Sequence, residues 1–368
     1  MAHTLQERYS ALVLAKLRKE LVLKDGVVFN NDYEGDPTAG AVKIPCRDTE
    51  VQVSDYDKAN GISGSTGSTG YETMPITKDK AVNEVIDGYD AEGVPDNLVA
   101  DRLDSAGYSL AAQVDTDGAT ALLSAATVTG AETLTSQNIY TQIVQLRTAM
   151  SKANIPTAGR YLLVTPDTMA LVLNSPEFIT ASNLGDEVKQ SGAIGKIAGF
   201  LVIEWNDNTA NLAMIAGHPK FATRVKEFSV PVHIQDLSGS GKYIGASAVQ
   251  GRMVYDHKVL RSVAIRAVYS PSFLALSKAV GTSNAGDTKV TATVLTAGDT
   301  LAYKKNPAAR CAYGTASSTY NGTSMTSGTA KVISSCTPGD TIEVVEFDSS
   351  GNAVAVGYTV LTADDIKA

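Results

Sequence analysis

The sequence predicts an α+β protein, and three stretches of the chain support this fold class. Between Pro95 and about Ala126, apolar residues recur at helical spacing over a length that would reach about 45 Å at 1.5 Å per residue. After Thr135, helical and strand-like patterns alternate. Past Lys278 the pattern is one of short strands separated by turns. A long helix, a mixed region and an all-β end together favour the α+β class.

Composition is that of an ordinary globular chain of 368 residues, 43% of them hydrophobic, with room for two or three domains. The formal net charge of -8 argues against broad nonspecific adhesion to nucleic acid or anionic membranes. Three cysteines, Cys46, Cys311 and Cys336, are too few and too far apart for a disulfide framework, so a reducing compartment is expected. No apolar stretch approaches the about 20 residues that span a bilayer, so no membrane partner is expected.

Apolar residues at helical spacing from Leu5 to Leu17 predict a short N-terminal helix. Arg8, Arg18 and Lys19 make this segment locally basic, so we expect it to contact a partner. The following stretch, FNNDYEGDPTAGAVKIP, is rich in Asn, Asp, Gly and Pro. It predicts an extended arm with turns rather than a packed element.

A long hairpin is predicted next. The stretch TEVQVSDY alternates as a strand, GISGSTGSTG gives a flexible tip, and YETMPITKD alternates again. Arms and hairpins that cannot bury their own faces need neighbours, which symmetric assembly supplies. We therefore expect interface charges in and beside this hairpin at Arg47, Asp55, Lys78 and Lys80.

The middle of the chain predicts helices over SQNIYTQIVQLRTAMSKA and PDTMALVLN, and strands over RYLLVT, GFLVIEW and NLAMIAG. From Phe228 to Tyr269 strand-like runs dominate, with a turn expected at Asp256 and His257. Past Lys278 the composition changes to Thr, Ser, Gly and Val. This change predicts a small β-sandwich of about 85 residues appended to the main body.

Motifs for catalysis and metal binding are missing from the sequence. None of the four histidines has the spacing of a metal-binding helix, and no Gly-x-Ser-x-Gly nucleophile elbow occurs. The stretch DTDG from Asp115 fails as an EF-hand because Thr120 stands where glycine is needed, so a solvated helix end is expected there. We therefore expect no enzyme, no cofactor and no metal site.

One glycine-rich segment, KQSGAIGKIAGFLVIEWND, raises the alternative of a nucleotide-binding enzyme using residues 192–199. A Walker A loop needs glycine where Gln190 stands, and Ser or Thr where Ile197 follows Lys196. A dinucleotide fingerprint needs its glycines between a strand and a helix, whereas these precede a strand-like run. Lys196 is therefore expected to be an interface charge. The expected backbone hinges are Gly192, Gly195 and Gly199.

Three stretches, in this order and spacing, resemble the coat proteins of tailed bacteriophages. LVLKDGVVFNNDYEGDPTAGAVKIPCRDTEVQVSDYDKANG is similar to their arm and first hairpin strand, and SGAIGKIAGFLVIEWN to the segment before a central strand. ASAVQGRMVYDHKVLRSVAIRA is similar to their closing strands. The resemblance covers residues 1 to about 272 and implies the Hong Kong 97-type capsid fold.

The resemblance implies a division of the chain into parts. These are an N-arm at 1–44, an extended loop at 45–80, a peripheral domain with the spine helix at 81–133 and 241–277, an axial domain at 134–240, and a C-terminal Ig-like β-sandwich at 278–368. The sandwich lies outside the core fold, so it is expected to decorate the capsid exterior.

The resemblance also implies a function. The chain would be a major capsid protein that self-assembles as pentamers and hexamers into the icosahedral shell of a virion, enclosing a double-stranded DNA phage genome. Assembly is expected in the bacterial host cytoplasm, with a portal protein and with packaged DNA contacted weakly and nonspecifically on the inner face. Since no long N-terminal scaffolding segment is present, a separate scaffolding protein, or else a processed precursor, is implied.

Three alternatives stay open at this point. An encapsulin-like compartment shell protein shares the fold, and shells holding an enzyme instead of DNA would favour it. A nucleotide-dependent enzyme would lose ATP or NAD binding on Lys196→Ala. A monomeric adhesin working through its β domain would stay monomeric under assembly conditions.

Overall fold

The computed structural model divides into two compact units, which we call the first unit (Met1–Ala125 and Pro219–Arg261) and the second unit (Ala126–His218 and Ser262–Ala368). The residues that the structure describes are 16–33, 40–47, 50–51, 53–62, 64, 69–88, 98–176 and 195–368.

The described elements are named in chain order. The strands are β1 (Ala41–Cys46), β2 (Gly70–Pro75), β3 (Lys78–Ile86), β4 (Thr127–Gly130), β5 (Tyr161–Val164), β6 (Lys196–Ile197), β7 (Phe200–Glu204), β8 (Leu212–Gly217), β9 (Ala222–Asp236), β10 (Ser247–Val259), β11 (Arg266–Tyr269), β12 (Ser272–Phe273), β13 (Leu276–Val280), β14 (Thr288–Ala292), β15 (Thr300–Lys305), β16 (Thr323–Met325), β17 (Lys331–Ile333), β18 (Thr341–Phe347) and β19 (Ala353–Val360). The helices are α1 (Leu98–Ala125), α2 (Ile139–Lys152), α3 (Pro166–Leu173) and α4 (Ser317–Tyr320). Short 3₁₀ turns lie at Pro219–Phe221, Ser262–Ala264 and Ala363–Asp365.

The first unit combines the long helix α1 with a three-stranded antiparallel sheet in the order β3-β10-β9. Ala106, Leu110 and Val114 recur at three- and four-residue spacing and are buried, which gives α1 one apolar face. Ala106 shares a core cluster with Ile86 of β3 and Val249 of β10. Packing against the sheet therefore stabilises the spine helix.

The antiparallel ribbon of β1 and β2 is anchored by its own small core. Ile44 and Met74, one from each strand, pack together with Val225 of β9. The sequence expectation of a strand over TEVQVSDY was wrong, because no described residue of that stretch lies in a strand. The alternation there is genuine, but Val53 is 98% exposed and has no core to pack on, so the strand pairing with β2 is made by AVKIPC.

The expected N-terminal helix is also corrected where the structure describes it. Residues 16–23 have no helical conformation, while residues 1–15, including Arg8, lie outside the described residues. The physical reason is that this segment takes its partners from α1 instead of forming its own helical hydrogen bonds.

The turn expected at Asp256 and His257 is not present, because both residues lie inside β10. Polar residues in a buried strand need hydrogen-bond partners. Asp256 accepts hydrogen bonds from the backbone and hydroxyl of Thr77, and His257 accepts one from Arg224. These cross-strand partners satisfy polar groups that the sequence pattern assigned to a turn.

The second unit contains a six-stranded mixed sheet with the order β4-β11-β8-β5-β7-β6. The central strand β5 is parallel to β7 and antiparallel to β8, and each of its four residues is fully buried. Burial on both faces explains why this strand is the continuous apolar run YLLV rather than an alternating one. Helix α2 buries one face through Ile139, Ile143, Leu146 and Met150.

Residues 272–368 of the second unit form a β-sandwich, which we call the sandwich. Its sheets have the orders β12-β19-β18-β15-β16 and β13-β14-β17. Val290 of the smaller sheet and Leu301 and Val344 of the larger one share a single buried cluster. A second cluster, which includes Cys311 and Val345, covers another part of the larger sheet. All three cysteines are free.

Strand pairing divides the chain differently from the expected peripheral domain at 81–133 and 241–277 and axial domain at 134–240. β4, which falls in the expected peripheral domain, pairs with β11 in the second unit. β9 pairs with β10 in the first unit, since its Val225 and Val232 pack against the ribbon and α1, whereas β11 pairs with β8 in the second unit. The sandwich also begins before residue 278, because β12 pairs with β19 and Leu274 lies in its core. Within the described parts of the chain, no helix is both long and apolar enough to cross a membrane.

Candidate assembly surface

A buried group of charged and aromatic side chains, which we call the anchor, holds residues 23–29 within the first unit. Arg224 is 8% exposed and donates three hydrogen bonds. The acceptors are Nε2 of His257 at 2.9 Å, Oδ1 of Asp25 at 3.0 Å and the carbonyl of Leu23 at 2.7 Å. The ring of Phe29 lies 4.9 Å from that of His257 and 5.0 Å from the guanidinium carbon of Arg224. The anchor therefore joins the arm to two strands of the sheet.

Burial sets the charge states of the anchor. Desolvation, together with the positive charge of Arg224, lowers the pKa of His257 to about 3. His257 is thus neutral near pH 7, which is the form that can accept a hydrogen bond at Nε2. Desolvation also lowers the pKa of Arg224, while Asp25 opposes that shift. Asp25 supplies the negative charge that a buried guanidinium needs.

The start of β3 is tied to α1 by a second polar group. Asp117 accepts a hydrogen bond from the hydroxyl of Tyr255 at 2.7 Å and pairs with Lys78 at 3.3 Å. Burial, together with the bond to Asp117, raises the pKa of Tyr255, so the phenol stays protonated and donates. These contacts fix one end of the loop that leads from the ribbon into β3.

Residues 16–23, which we call the strap, run alongside α1 in the same direction. Their contacts, in chain order, are Lys16 with Asp101 (2.7 Å), Arg18 with Asp104 (2.6 Å), the Lys19 carbonyl with the Tyr108 hydroxyl (2.9 Å) and the Leu23 amide with Asp115 Oδ1 (3.0 Å). Asp115 is 4% exposed, so the expectation of a solvated helix end at this residue was wrong.

The outer contacts of the strap are electrostatic. The hydrogen bond between Arg18 and Asp104 raises the pKa of Arg18 and lowers that of Asp104. Arg18 also lies over the ring of Tyr108, 4.8 Å from its centroid. Exposed ion pairs weaken with salt, whereas the inner contact at Leu23 is buried. The strap is therefore held loosely at its start and firmly at its end.

The segment between β1 and β2, together with the start of β2, exposes large apolar side chains. They are Val51 (60%), Val53 (98%), Tyr56 (70%), Ile62 (53%) and Tyr71 (66%). Several exposed apolar residues within one segment are typical of a surface that contacts another protein. We call this set the apolar loop.

The structure distributes the sequence-predicted interface residues over both units. Lys78 is engaged with Asp117, while Lys80 is half-buried in β3. Arg47 and Asp55 are exposed near the apolar loop, and Lys196 is exposed in the second unit. Together with Arg18 and Lys19 in the strap, these residues do not form one site.

The glycine segment forms a strand, a turn and a strand over its described residues 195–204. Gly199 has φ +87° and Ala198 has φ +46°, the two positive values of a two-residue hairpin turn between β6 and β7. Gly195 precedes β6 without a positive φ, and Gly192 lies outside the described residues. A phosphate loop would lead into a helix, so this geometry contradicts the nucleotide-binding alternative.

Sequence reasoning missed the anchor. Arg224 and Asp25 are separated by 199 residues, and no local pattern connects them. Asp115 carried a usable signal, because it lies one helical turn before the buried Ala119 and two before Leu122. A carboxylate on the buried face of an amphipathic helix predicts a polar partner.

A long spine helix packed on a three-stranded sheet, an extended arm and loop, and a separate mixed sheet define a shell protein of the Hong Kong 97-type capsid fold. The model of a family described as phage capsid protein matches residues 84–276, just over half of the chain. The chain belongs to this phage capsid protein family, whose members are structural proteins and not enzymes. The family match ends at residue 276, the first residue of β13, so it leaves out nearly all of the sandwich.

Solved structures of phage particles have the same fold. A chain of Mycobacterium phage Che8 is 22% identical, with a TM-score of 0.61 over 72% of this chain and 96% of that one. The capsid of cyanophage P-SCSP1u is 14% identical, with a TM-score of 0.61 over 72% and 92%. The mature capsid of bacteriophage PhiM1 is 14% identical, with a TM-score of 0.51 over 70% and 92%. No curated protein matches the sequence. The fold expected from the resemblance is confirmed.

Proposed function

We propose that this chain is the major subunit of an icosahedral phage shell, assembling as pentamers and hexamers around a double-stranded DNA genome. The observation that carries the proposal is the apolar loop of a chain that belongs to a capsid family. The loop leaves apolar side chains in water that a neighbouring copy can cover. In a symmetric shell, the apolar loop of every subunit is buried against a neighbouring subunit in the same way.

The energetic scale of this contact is adequate for assembly. Fully burying a large apolar side chain contributes about 1.5–3 kcal/mol. Val53, Tyr56 and Ile62 together would contribute on the order of 5 kcal/mol before the cost of ordering the loop. Every subunit of a closed shell makes the contact, so a modest gain per copy stabilises the particle.

Replacing the apolar side chains tests the proposal directly. The triple variant Val53→Ser, Tyr56→Ser and Ile62→Ser should give folded, soluble subunits that form no shells, as judged by sedimentation and electron microscopy. Leu295→Ser is the matched control, because Leu295 is similarly exposed at 58% but lies in the sandwich. Normal shells from the triple variant would refute the role of the loop.

In this proposal the first unit provides the arm, the extended loop and the peripheral domain, and residues 126–218 with 262–271 provide the axial domain. The sandwich is an Ig-like decoration domain on the particle exterior. Further partners are a separate scaffolding protein, a portal protein and packaged DNA, which the net charge of -8 limits to weak, nonspecific contact. The shell assembles in the bacterial host cytoplasm and remains in the virion.

A further inference from the structure

The sandwich is attached to the rest of the second unit by more than a flexible connection. Only Ser270 and Pro271 separate β11 of the six-stranded sheet from β12 of the sandwich, and the hydroxyl of Ser272 in β12 donates to Oδ1 of Asn211, just before β8, at 2.6 Å. Leu274 is fully buried in the sandwich core. A side chain at Gly357 would meet the Leu274 carbonyl oxygen at 2.4 Å, so the two backbones are in direct contact.

A second attachment lies in the loop between β15 and α4. The amide of Tyr313 donates to the carbonyl of Ala131, just beyond β4, at 2.9 Å. The ring of Tyr313 stacks on that of Tyr269 in β11, with 5.3 Å between centroids and 18° between planes. A side chain at Gly130 would meet the Tyr313 carbonyl oxygen at 2.1 Å, so only glycine permits this approach.

The loop that carries Tyr313 is braced from inside the sandwich. Glu343 is fully buried, and its Oε2 accepts the amide hydrogen of Cys311 at 3.1 Å. The amide of Gly314 donates to the carbonyl of Ala353 at 2.9 Å, and the amide of Ala353 donates to Thr315 at 2.9 Å. A loop held on both sides of Tyr313 can transmit force from the sandwich to the point of contact.

We propose that the sandwich is clamped to the six-stranded sheet at two points and moves with it as one rigid body. Domains on a single linker move relative to one another by default unless their interface is substantial. Two separated attachments, one through β12 and one through Tyr313, remove the rotation that a single connection allows. The sandwich is thus a fixed extension of the sheet and not an independently moving decoration.

Residue-resolved hydrogen exchange on the full-length, unassembled subunit tests the clamp. In the wild type, the Tyr313 amide should be protected to a degree similar to the amides of β11. In Gly130→Ala, we expect Tyr313 to exchange at least about tenfold faster while Gly314, bonded within the sandwich, stays unchanged. Val128→Ala is the matched control, because Val128 lies on the same strand with its side chain exposed, and it should change neither amide.

A second variant covers the case in which Gly130→Ala does not fold. Tyr313→Ser removes the ring stack but keeps the backbone, and it should also accelerate exchange at position 313 alone. Three results would overturn the proposal: a Tyr313 amide that exchanges freely in the wild type, unchanged protection in both variants, or equal acceleration at residues 313 and 314. The last would show that the loop is not held separately by the sheet.

Discussion

Two glycines in the same helix should respond differently to the same substitution. Gly107 and Gly118 both lie inside α1, where replacing glycine with alanine gains about 1 kcal/mol of helix propensity. A side chain at Gly107 would have no neighbour within 4 Å. One at Gly118 would meet Cε2 of Phe29 at 3.1 Å and Nε2 of His257 at 3.2 Å, both in the anchor.

The expected magnitudes follow from these distances. Gly107→Ala should raise the free energy of unfolding by about 1 kcal/mol. Gly118→Ala gains the same propensity, but its methyl group pushes Phe29 and His257 away from α1 in a filled core, which costs about 1–3 kcal/mol. We therefore expect a difference of about 1–3 kcal/mol between the two variants, with Gly118→Ala the less stable.

Urea unfolding of the unassembled subunit measures the difference, because the midpoint shifts while the slope stays the same. Limited proteolysis gives a second readout, since displacing Phe29 should make residues 23–29 easier to cleave only in Gly118→Ala. Equal stabilisation by both substitutions would refute the close packing of α1 against the anchor.

Two further predictions concern charge. Arg18→Glu should loosen the strap, because it places a like charge beside Asp104, and proteolysis within residues 16–23 should become faster. The double variant Arg18→Glu with Asp104→Arg restores the ion pair with its charges exchanged and should slow this proteolysis again. If the double variant is cleaved as fast as the single variant, the ion pair does not hold the strap. The pKa of His257 is about 6.5 in the unfolded chain and about 3 in the folded protein. Below about pH 6.5 the unfolded chain therefore binds a proton that the folded protein does not. The free energy of unfolding is highest above about pH 6.5 and falls by up to about 1.4 kcal/mol per pH unit below it. His257→Gln should lack this slope between pH 5 and 6.5, and equal slopes for both proteins would show that His257 is not its source.

The regular elements of the main body were predictable because each satisfies a local rule. α1 spans Leu98–Ala125, close to the expected range, since its apolar residues repeat at helical spacing over many turns. The fully buried strand β5 was visible as an uninterrupted apolar run. The resemblance to phage coat proteins added the connectivity that periodicity cannot provide, and the family match agrees with it.

What could not be predicted depends on partners that are distant in sequence. The alternation of TEVQVSDY and that of AVKIPC are equally typical of strands, and only Val225 of β9 decides which has a core to pack on. The anchor depends on Arg224 meeting Asp25, and neither residue is unusual in its local context. Polar residues inside β10 were assigned to a turn because their buried partners belong to other elements.

Because the strap runs parallel to α1 and contacts it at several points, the number of residues in the strap is fixed. An extended chain advances about 3.3 Å per residue and a helix about 1.5 Å, so one strap residue spans slightly more than two helix positions. The contacts obey this ratio, because seven strap steps from Lys16 to Leu23 match fourteen helix steps from Asp101 to Asp115. Inserting or deleting a single strap residue would shift every later strap residue by two helix positions. The helix residue opposite it would then point roughly 200° away around the helix axis, on the side that does not face the strap. The number of strap residues is therefore fixed by the geometry of α1, even where the contact is made by backbone atoms, as at Lys19 and Leu23.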